Sequence, residues 1–512
     1  MVKWLKDAVF YEIYPQSFCD SNGDGIGDIS GMTGKLDYIH DLGCNAIWLN
    51  PVYDSPFRDA GYDVRDYCKV AKRYGTNEDL YHFFAEAHAR NMHVLMDLVP
   101  GHTSDEHAWF RESRKDDQNE YTKRYVWTSN AFEGIADHPY VSGNAPRSGV
   151  YMLNFFISQP ALNYGWGIRT APWQSAADSP EAVSTREAMK DIMRFWLGHG
   201  CDGFRCDMAD SLVKNDDEQK HATANVWQNI RQMLDSEYPH AAIVSEWSNP
   251  NSAVNLAGFQ MDFYLDHHHN GYNTLLRDYE CNDADNSFFR CQGHGDINRF
   301  LMDYLPKYNA IKDRGYISMF TCNHDTPRAS RTLSAEELKL AYAFLFTMPG
   351  VPFLYYGDEI GMKYLDLASV EGGYHRTGSR TPMQWDHQKN YGFSSAETER
   401  LYTAQDSSAD APTMADQLHD PSSLLNVTKQ VIALRHANED LQADALFDVI
   451  DADHQKFVYK RGSMICAVNT SDCGTKVKNS VLNGKKIIYT IHDAEVQKDE
   501  LTLGGGSFAV LK

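Results

Sequence analysis

The residues best placed to do chemistry are acids that close apolar runs. In the stretch GFRCDMAD, residues 203–210, Arg205 and Asp207 stand two apart. On a strand such a pair projects from one face. A buried carboxylate without a partner is costly, so a strand that carries charge inward must end at a site. AIVSEW repeats the pattern and ends in Glu246, and YISMFTCNHD repeats it again, ending in His324-Asp325. Three strands that each deliver an acid at the C-terminal end describe a (β/α)8 TIM barrel with its site on the top face.

The rest of the chain supplies the elements that would hold those acids. AVFYEIYPQSF (8–18) reads as the first strand, AIWLNPV (46–52) as the second and VLMDLV (94–99) as the third. A helix is expected over 35–42. The capping box of Thr76 and Asp79 predicts another, with Leu80, Phe83, Phe84 and Ala87 on one face. Between 101 and about 173 the chain turns rich in aromatic, Gly, Pro, Asn and Ser residues without a helical period, too long for a bare loop, which predicts an inserted subdomain over the barrel mouth. Helices are expected near 185–200, 222–238 and 297–312, and one more opened by the capping box of Ser334 and Glu337. FQMDFYL and VPFLYYGDEIG bring the strands to eight. A last helix over 424–438 precedes FVYK, MICAVN, KKIIYTI, ELTL and SFAVLK, which predict an antiparallel β-domain. The expected division is a barrel over 1–101 and 174–438, an inserted subdomain over 102–173 and a C-terminal β-domain over 439–512.

A loop after the first strand, DSNGDGIGD, sets oxygen ligands at alternate positions. Asp20, Asn22, Asp24, Ile26 and Asp28 form the expected metal set, with Gly25 making the sharp turn. Gly31 stands where an EF-hand would carry its bidentate glutamate, and a strand rather than a helix precedes the loop. The expectation is therefore a structural Ca2+ or Mg2+ in a loop that is not an EF-hand.

Composition bounds the remaining choices. A chain of 512 residues is too long for one compact core. The net charge of −22 argues against nucleic acid or anionic membrane as partner. The apolar run 341–357 contains Pro349 and Pro352 and reads as a helix plus a strand rather than a membrane span. The opening Met1-Val2-Lys3-Trp4-Leu5-Lys6-Asp7 lacks a leader pattern. Ten cysteines show no CxxC spacing, so free thiols and a cytoplasmic location are expected, with a monomer or weak homodimer as the assembly.

These segments together resemble glycoside hydrolase family 13, the α-amylase superfamily. The likeness rests on AGYDVRDY, DLVPGHTSDEH, GFRCDMAD, VSEW, CNHD, MPGVPFLYYGDEIG and RTPMQWD, in the family's order, from about Trp4 to Asn438. The metal loop and RTPMQW resemble the α-glucosidase and oligo-1,6-glucosidase branch, and GFSSAETERLY is similar to trehalose synthases. The resemblance implies Asp207 as nucleophile, Glu246 as general acid/base and Asp325 as the third acid, with Arg205 keeping Asp207 ionised. Such a trio suits glycoside cleavage, in which one carboxyl protonates the leaving oxygen and another captures the oxocarbenium carbon. It also implies that His102, His324 and Arg380 contact the sugar, and that Asp59 and Tyr62 cap its outer end and make the enzyme exo-acting. Phe156 or its neighbour Phe155 is expected at the entrance, with core packing as the alternative for each.

Three positions depart from the family pattern. Gly101 stands where an asparagine is usual before the histidine, Ala161 replaces an aspartate, and Met208 follows the nucleophile in place of valine or alanine. The linkage preference is therefore open. The run His267-His268-His269 is expected in a loop beyond the sixth strand. The expected activity is that of a retaining, exo-acting α-glucosidase on short oligosaccharides or disaccharides. The alternatives are a transglucosidase or isomerase of the trehalose-synthase kind and a non-catalytic carbohydrate-binding barrel such as a transporter-ancillary subunit.

Overall fold

The computed structural model describes residues 2–278 and 285–512; Met1 and Cys281, which entered the sequence reading, lie outside them. Eight parallel strands form the central sheet: β1 (Phe10–Ile13), β2 (Ala46–Leu49), β3 (His93–Leu98), β4 (Gly203–Cys206), β5 (Ala242–Ser245), β6 (Met261–Phe263), β7 (Tyr316–Ser318) and β8 (Phe353–Tyr355). β1 to β7 pair in sequence order, β8 pairs with β1, and a single parallel bridge from Phe320 to Phe353 links the chain just past β7 to β8. The strands are buried on both faces, which is why they read as near-continuous apolar runs. The lower interior is filled by rings: Phe263 lies 5.3 Å from Trp48, 4.9 Å from Phe353 and 5.7 Å from Phe320. Charge is thereby confined to the upper end.

The surrounding helices follow the sequence signals. Asn77–Ala89 and Ala335–Thr347 both open with complete capping boxes, on Thr76 and Asp79 and on Ser334 and Glu337. Leu36–Leu42, His221–Glu237, Ile297–Ile311 and Leu424–His436 form within a residue or two of the expected bounds. Two expectations need correction. The first strand stops at Ile13, because Pro15 opens a short helix, Pro15–Phe18. The helix expected from 185 starts at Pro180, with Ser179 as its cap. The run 341–357 is the end of a helix followed by β8, and no helix among the described residues is long and apolar enough to cross a membrane.

Between β3 and β4 the chain forms a short helix, Ala108–Ser113, and an antiparallel pair, Tyr140–Val141 with Tyr151–Met152. Val126, Ile135, Val150, Met152, Ala161 and Trp166 make a small core of their own. A bridge from Leu153 to Pro160 folds residues 154–159 back over the barrel mouth. The C-terminal part is antiparallel: Phe447–Asp453, Lys456–Arg461, Met464–Asn469, Ser507–Leu511 and Ile487–Ile491 form one sheet, and Thr475–Lys478, Glu500–Leu503 and Ala494–Gln497 a second. The first strand of each sheet and Ala494–Gln497 are additions to the sequence reading.

Candidate active site

Arg205 organises the upper end of the barrel. β4 can approach β5 closely only because Gly203 has φ +146°, and a Cβ there would lie 1.8 Å from the Ala242 carbonyl. Asp97 on β3 is the in-register neighbour of Arg205, and its Oδ1 lies 2.9 Å from Arg205 Nη1. The same nitrogen reaches Asp207 Oδ1 at 2.8 Å, while Nη2 reaches Glu246 Oε2 at 2.9 Å. One buried cation thus serves three carboxylates and cannot fully compensate the loss of water around each. Burial pushes Asp207 up to about 6, with Arg205 opposing and Asp97 adding to the rise. Burial pushes Glu246 up to about 7, against Arg205 and with Asp207 and Asp325 adding.

Just past β4, Met208 adopts a left-handed backbone conformation, φ 42°, unfavourable for a residue with a side chain. The turn aims the Met208 N–H at Glu246 Oε2, 2.8 Å away. The loop after β7 supplies the third acid. Asp325 Oδ1 accepts from Arg376 Nη1 at 2.8 Å and from Arg380 Nη2 at 3.1 Å, and its Oδ2 lies 3.2 Å from His324 Nε2. Burial alone would raise this carboxyl, but His324 and the two arginines outweigh it and hold it well below the usual range. His324 Nδ1 meets Glu12 Oε1 of β1 at 2.9 Å. Burial opposes its charge, yet Asp325 and Glu12 raise it to about 9, so it is an imidazolium at neutral pH. Among the three candidate catalytic acids, Asp325 is thus held ionised while Asp207 and Glu246 titrate near neutrality.

Asp207, Glu246 and Asp325 face one cavity of about 180 Å³, walled also by Asp59, Tyr62, His102 and Phe156. Asp59 is fixed by Gln159 Nε2 at 2.8 Å and by Arg376 Nη2 at 3.4 Å, and Tyr62 donates its hydroxyl to Asp97 Oδ2 at 2.9 Å. Phe155 and Phe156 both line the cavity rather than the core, and Phe156 stacks on Tyr374 at 5.9 Å. Arg205, His324 and Arg380 stand behind the wall and touch its acids; none of the three lines the cavity. Both ring nitrogens of His102 already bond to protein groups, Tyr62 O at 3.1 Å and Asn154 Nδ2 at 3.1 Å, and burial lowers its pKa to about 3. Met208 and Arg376 also line the cavity. Sequence reasoning missed Arg376, Asp97, Glu12 and Gln159. Of these, Asp97 gave a usable signal, an acid in the apolar run VLMDLV. The exposed run of three histidines follows β6, as expected.

The metal loop lies away from this cavity. Asp20 Oδ1 accepts the N–H groups of Asn22 and Gly23, and its Oδ2 accepts that of Gly25. Asp28 caps the helix Ile29–Thr33 and accepts from Ser21. Gly25 has φ +95°, and a Cβ there would strike the Arg400 carbonyl at 2.1 Å. Among the described residues no cluster of three or more His, Cys, Asp or Glu is placed to hold a metal. The loop's donors are all oxygens, the kind a hard cation takes, but Asp20 Oδ1 already accepts two N–H groups and its Oδ2 the Gly25 N–H and the Ser394 hydroxyl.

A model of the alpha-amylase catalytic domain matches residues 12–444. The chain belongs to the alpha-amylase family. This alpha-amylase family member is a glycoside hydrolase. It is 32% identical to an oligo-1,6-glucosidase of Heyndrickxia coagulans, over 92% of this chain and 93% of that one. It is 33% identical to the trehalose synthase/amylase TreS of Mycolicibacterium smegmatis, over 85% of this chain and 77% of that one. A mutant isomaltulose synthase from Erwinia rhapontici NX5, solved with sucrose, shares 26% identity and a TM-score of 0.80, with 99% of both chains covered.

Proposed function

We propose that the protein is a retaining, exo-acting α-glucosidase that releases glucose from short α-linked oligosaccharides or disaccharides. Asp207 attacks the anomeric carbon, Glu246 protonates the leaving oxygen and then activates water, and Asp325 steadies the sugar hydroxyls and the developing positive charge. The carrying observation is that Asp207 and Glu246 are held by adjacent nitrogens of one guanidinium, in a cavity they share with Asp325. That closeness favours the direct-attack geometry over the wider spacing that leaves room for an inverting water. The pair Asp59 and Arg376 at the cavity wall supports cleavage at a chain end. Because relatives carry the name oligo-1,6-glucosidase, isomaltose is the first substrate to test. Asp207→Asn is expected to abolish turnover of isomaltose and maltose while the circular dichroism spectrum and melting curve stay those of a folded protein. Near-normal turnover would dismiss the nucleophile assignment.

The second reading is an isomerase in which a sugar, not water, takes up the glucosyl group. The trehalose synthase relatives and the isomaltulose synthase likeness favour it. Product analysis with maltose and sucrose separates the two. Free glucose as the main product supports hydrolysis, and an isomeric disaccharide as the main product supports transfer.

The loop Asp20, Asn22, Asp24, Ile26 and Asp28 is proposed to hold Ca2+ or Mg2+ as a structural ion, on the strength of its oxygen donors. The division at 1–101 with 174–438, 102–173 and 439–512 is supported by the separate small cores of the insert and the C-terminal sheets. A cytoplasmic location is supported by the nine described cysteines, all of them free thiols.

A further inference from the structure

Asn154 lies in the folded-back segment over the barrel mouth, and its side chain sits in the space that a side chain at position 101 would fill. A Cβ on Gly101 would lie 2.6 Å from Asn154 Nδ2. The glycine leaves room for that amide.

The orientation of that amide follows from its neighbours. Lys214 Nζ is buried and donates to the Ser211 carbonyl at 2.7 Å and to Asn154 Oδ1 at 3.3 Å. An ammonium can only donate, so Asn154 must turn its oxygen to Lys214 and its NH2 to His102. His102 Nδ1, 3.1 Å from Asn154 Nδ2, therefore accepts and carries no proton. At the other end Nε2 meets the Tyr62 carbonyl at 3.1 Å, and a carbonyl can only accept, so Nε2 carries the proton. The two ends require the same tautomer. They also tie the cavity-lining His102 to the backbone of Tyr62, another residue of the cavity wall.

We propose that Asn154 is a positioning residue for the glycosidase site: held by Lys214 and admitted by Gly101, it fixes the ring plane of His102 and, opposite the Tyr62 carbonyl, keeps Nδ1 free of a proton. The proposal rests on the α-glucosidase reading for its kinetic consequence but not for its tautomeric one. Asn154→Asp is nearly isosteric, still accepts from Lys214 and cannot donate to Nδ1. In that variant Nε2 keeps its proton for the Tyr62 carbonyl, and the carboxylate draws a second proton onto Nδ1. The 15N shift of His102 Nδ1, assigned against His102→Gln, is expected to move from the unprotonated to the protonated position in Asn154→Asp, while Nε2 stays protonated. Unchanged ring shifts would overturn the proposal whether or not the protein cleaves α-glucosides.

On a chromogenic aryl α-glucoside, Asn154→Ala is expected to lower kcat about 10- to 100-fold with a smaller change in KM, the size of effect a misplaced site group produces. Gly101→Asn alone is expected to lower activity by collision with Asn154. The double variant Gly101→Asn/Asn154→Ala is expected to recover most of the loss, because the amide returns from the other side. A kcat and KM unchanged in Asn154→Ala, or a double variant no better than the two singles, would overturn the proposal.

Discussion

The barrel top and the seam beneath the C-terminal sheets both bury arginine, and they satisfy it in opposite ways. Arg205 faces three carboxylates. Arg435 and Arg461 donate instead to main-chain oxygens: Arg435 to Phe346, Met348 and Gly350, at 2.9, 3.1 and 2.6 Å, and Arg461 to Thr347 and to Gln442, the latter at 2.6 Å. Burial drives Arg435 down to about 9, with Arg461 adding to the fall, whereas the acids around Arg205 overcome burial and hold it cationic. The seam is thus a neutral scaffold for two charges. The site is a crowd of ionisable groups competing for one.

The sharpest way to break that comparison is to remove each arginine. Arg205→Ala is expected to cost ~10³-fold or more in kcat/KM, since it strips the proposed nucleophile and acid of their shared partner. Arg461→Ala is expected to leave kcat of the folded enzyme unchanged and to lower unfolding free energy by about 3 kcal/mol, because buried carbonyls lose charged donors. Urea titration beside steady-state kinetics measures both. Equal losses of activity and stability in the two variants would erase the distinction.

The site should respond to pH where the seam does not. Asp207 must be ionised and Glu246 protonated, so kcat/KM is expected to fall below about pH 6 and above about pH 7, with the two limbs belonging to the coupled pair. Glu246 is raised on folding, so its stabilising share is present below its unfolded value near 4.5 and is lost as pH rises through about 7. Glu246→Gln should therefore abolish hydrolysis yet raise stability at pH 8, by about 3 kcal/mol at most, with the gain vanishing by about pH 4. A variant no more stable than wild type at pH 8 would contradict the cost assigned to that buried charge. The smallest effect is expected at the metal loop. EDTA should lower the melting temperature by about 2 °C or more with little loss of activity at room temperature, and added calcium should restore it. A melting curve indifferent to both would speak for a loop sustained by its own N–H groups.

What could be read from the chain alone was whatever is local. The capping boxes at Thr76 and Ser334 lie within four residues, and the acids that end β4 and β5 announce themselves against apolar runs. Arg376 could not be found this way. It lies in a Gly- and Ser-rich loop without a period, and its meaning comes from Asp59 and Asp325, which are remote in sequence. Glu12 hid within the first strand for the same reason, since its partner His324 arrives with β7. In the C-terminal part, Thr475–Lys478 and Ala494–Gln497 escaped because both flank a small sheet and turn alternate residues outward, leaving too few apolar positions to mark them. Pro15 was the overlooked local clue, a helix opener read as part of a strand.

Because the amide of Met208, not its thioether, tethers Glu246, the gap between attacker and proton donor is written into main-chain geometry. The side chain at this position is consequently free to be exchanged, within what a left-handed residue tolerates. Selection can reshape the wall that greets an incoming sugar there while the reactive pair keeps its spacing. Chemistry and taste are thereby inherited on separate atoms of the same residue.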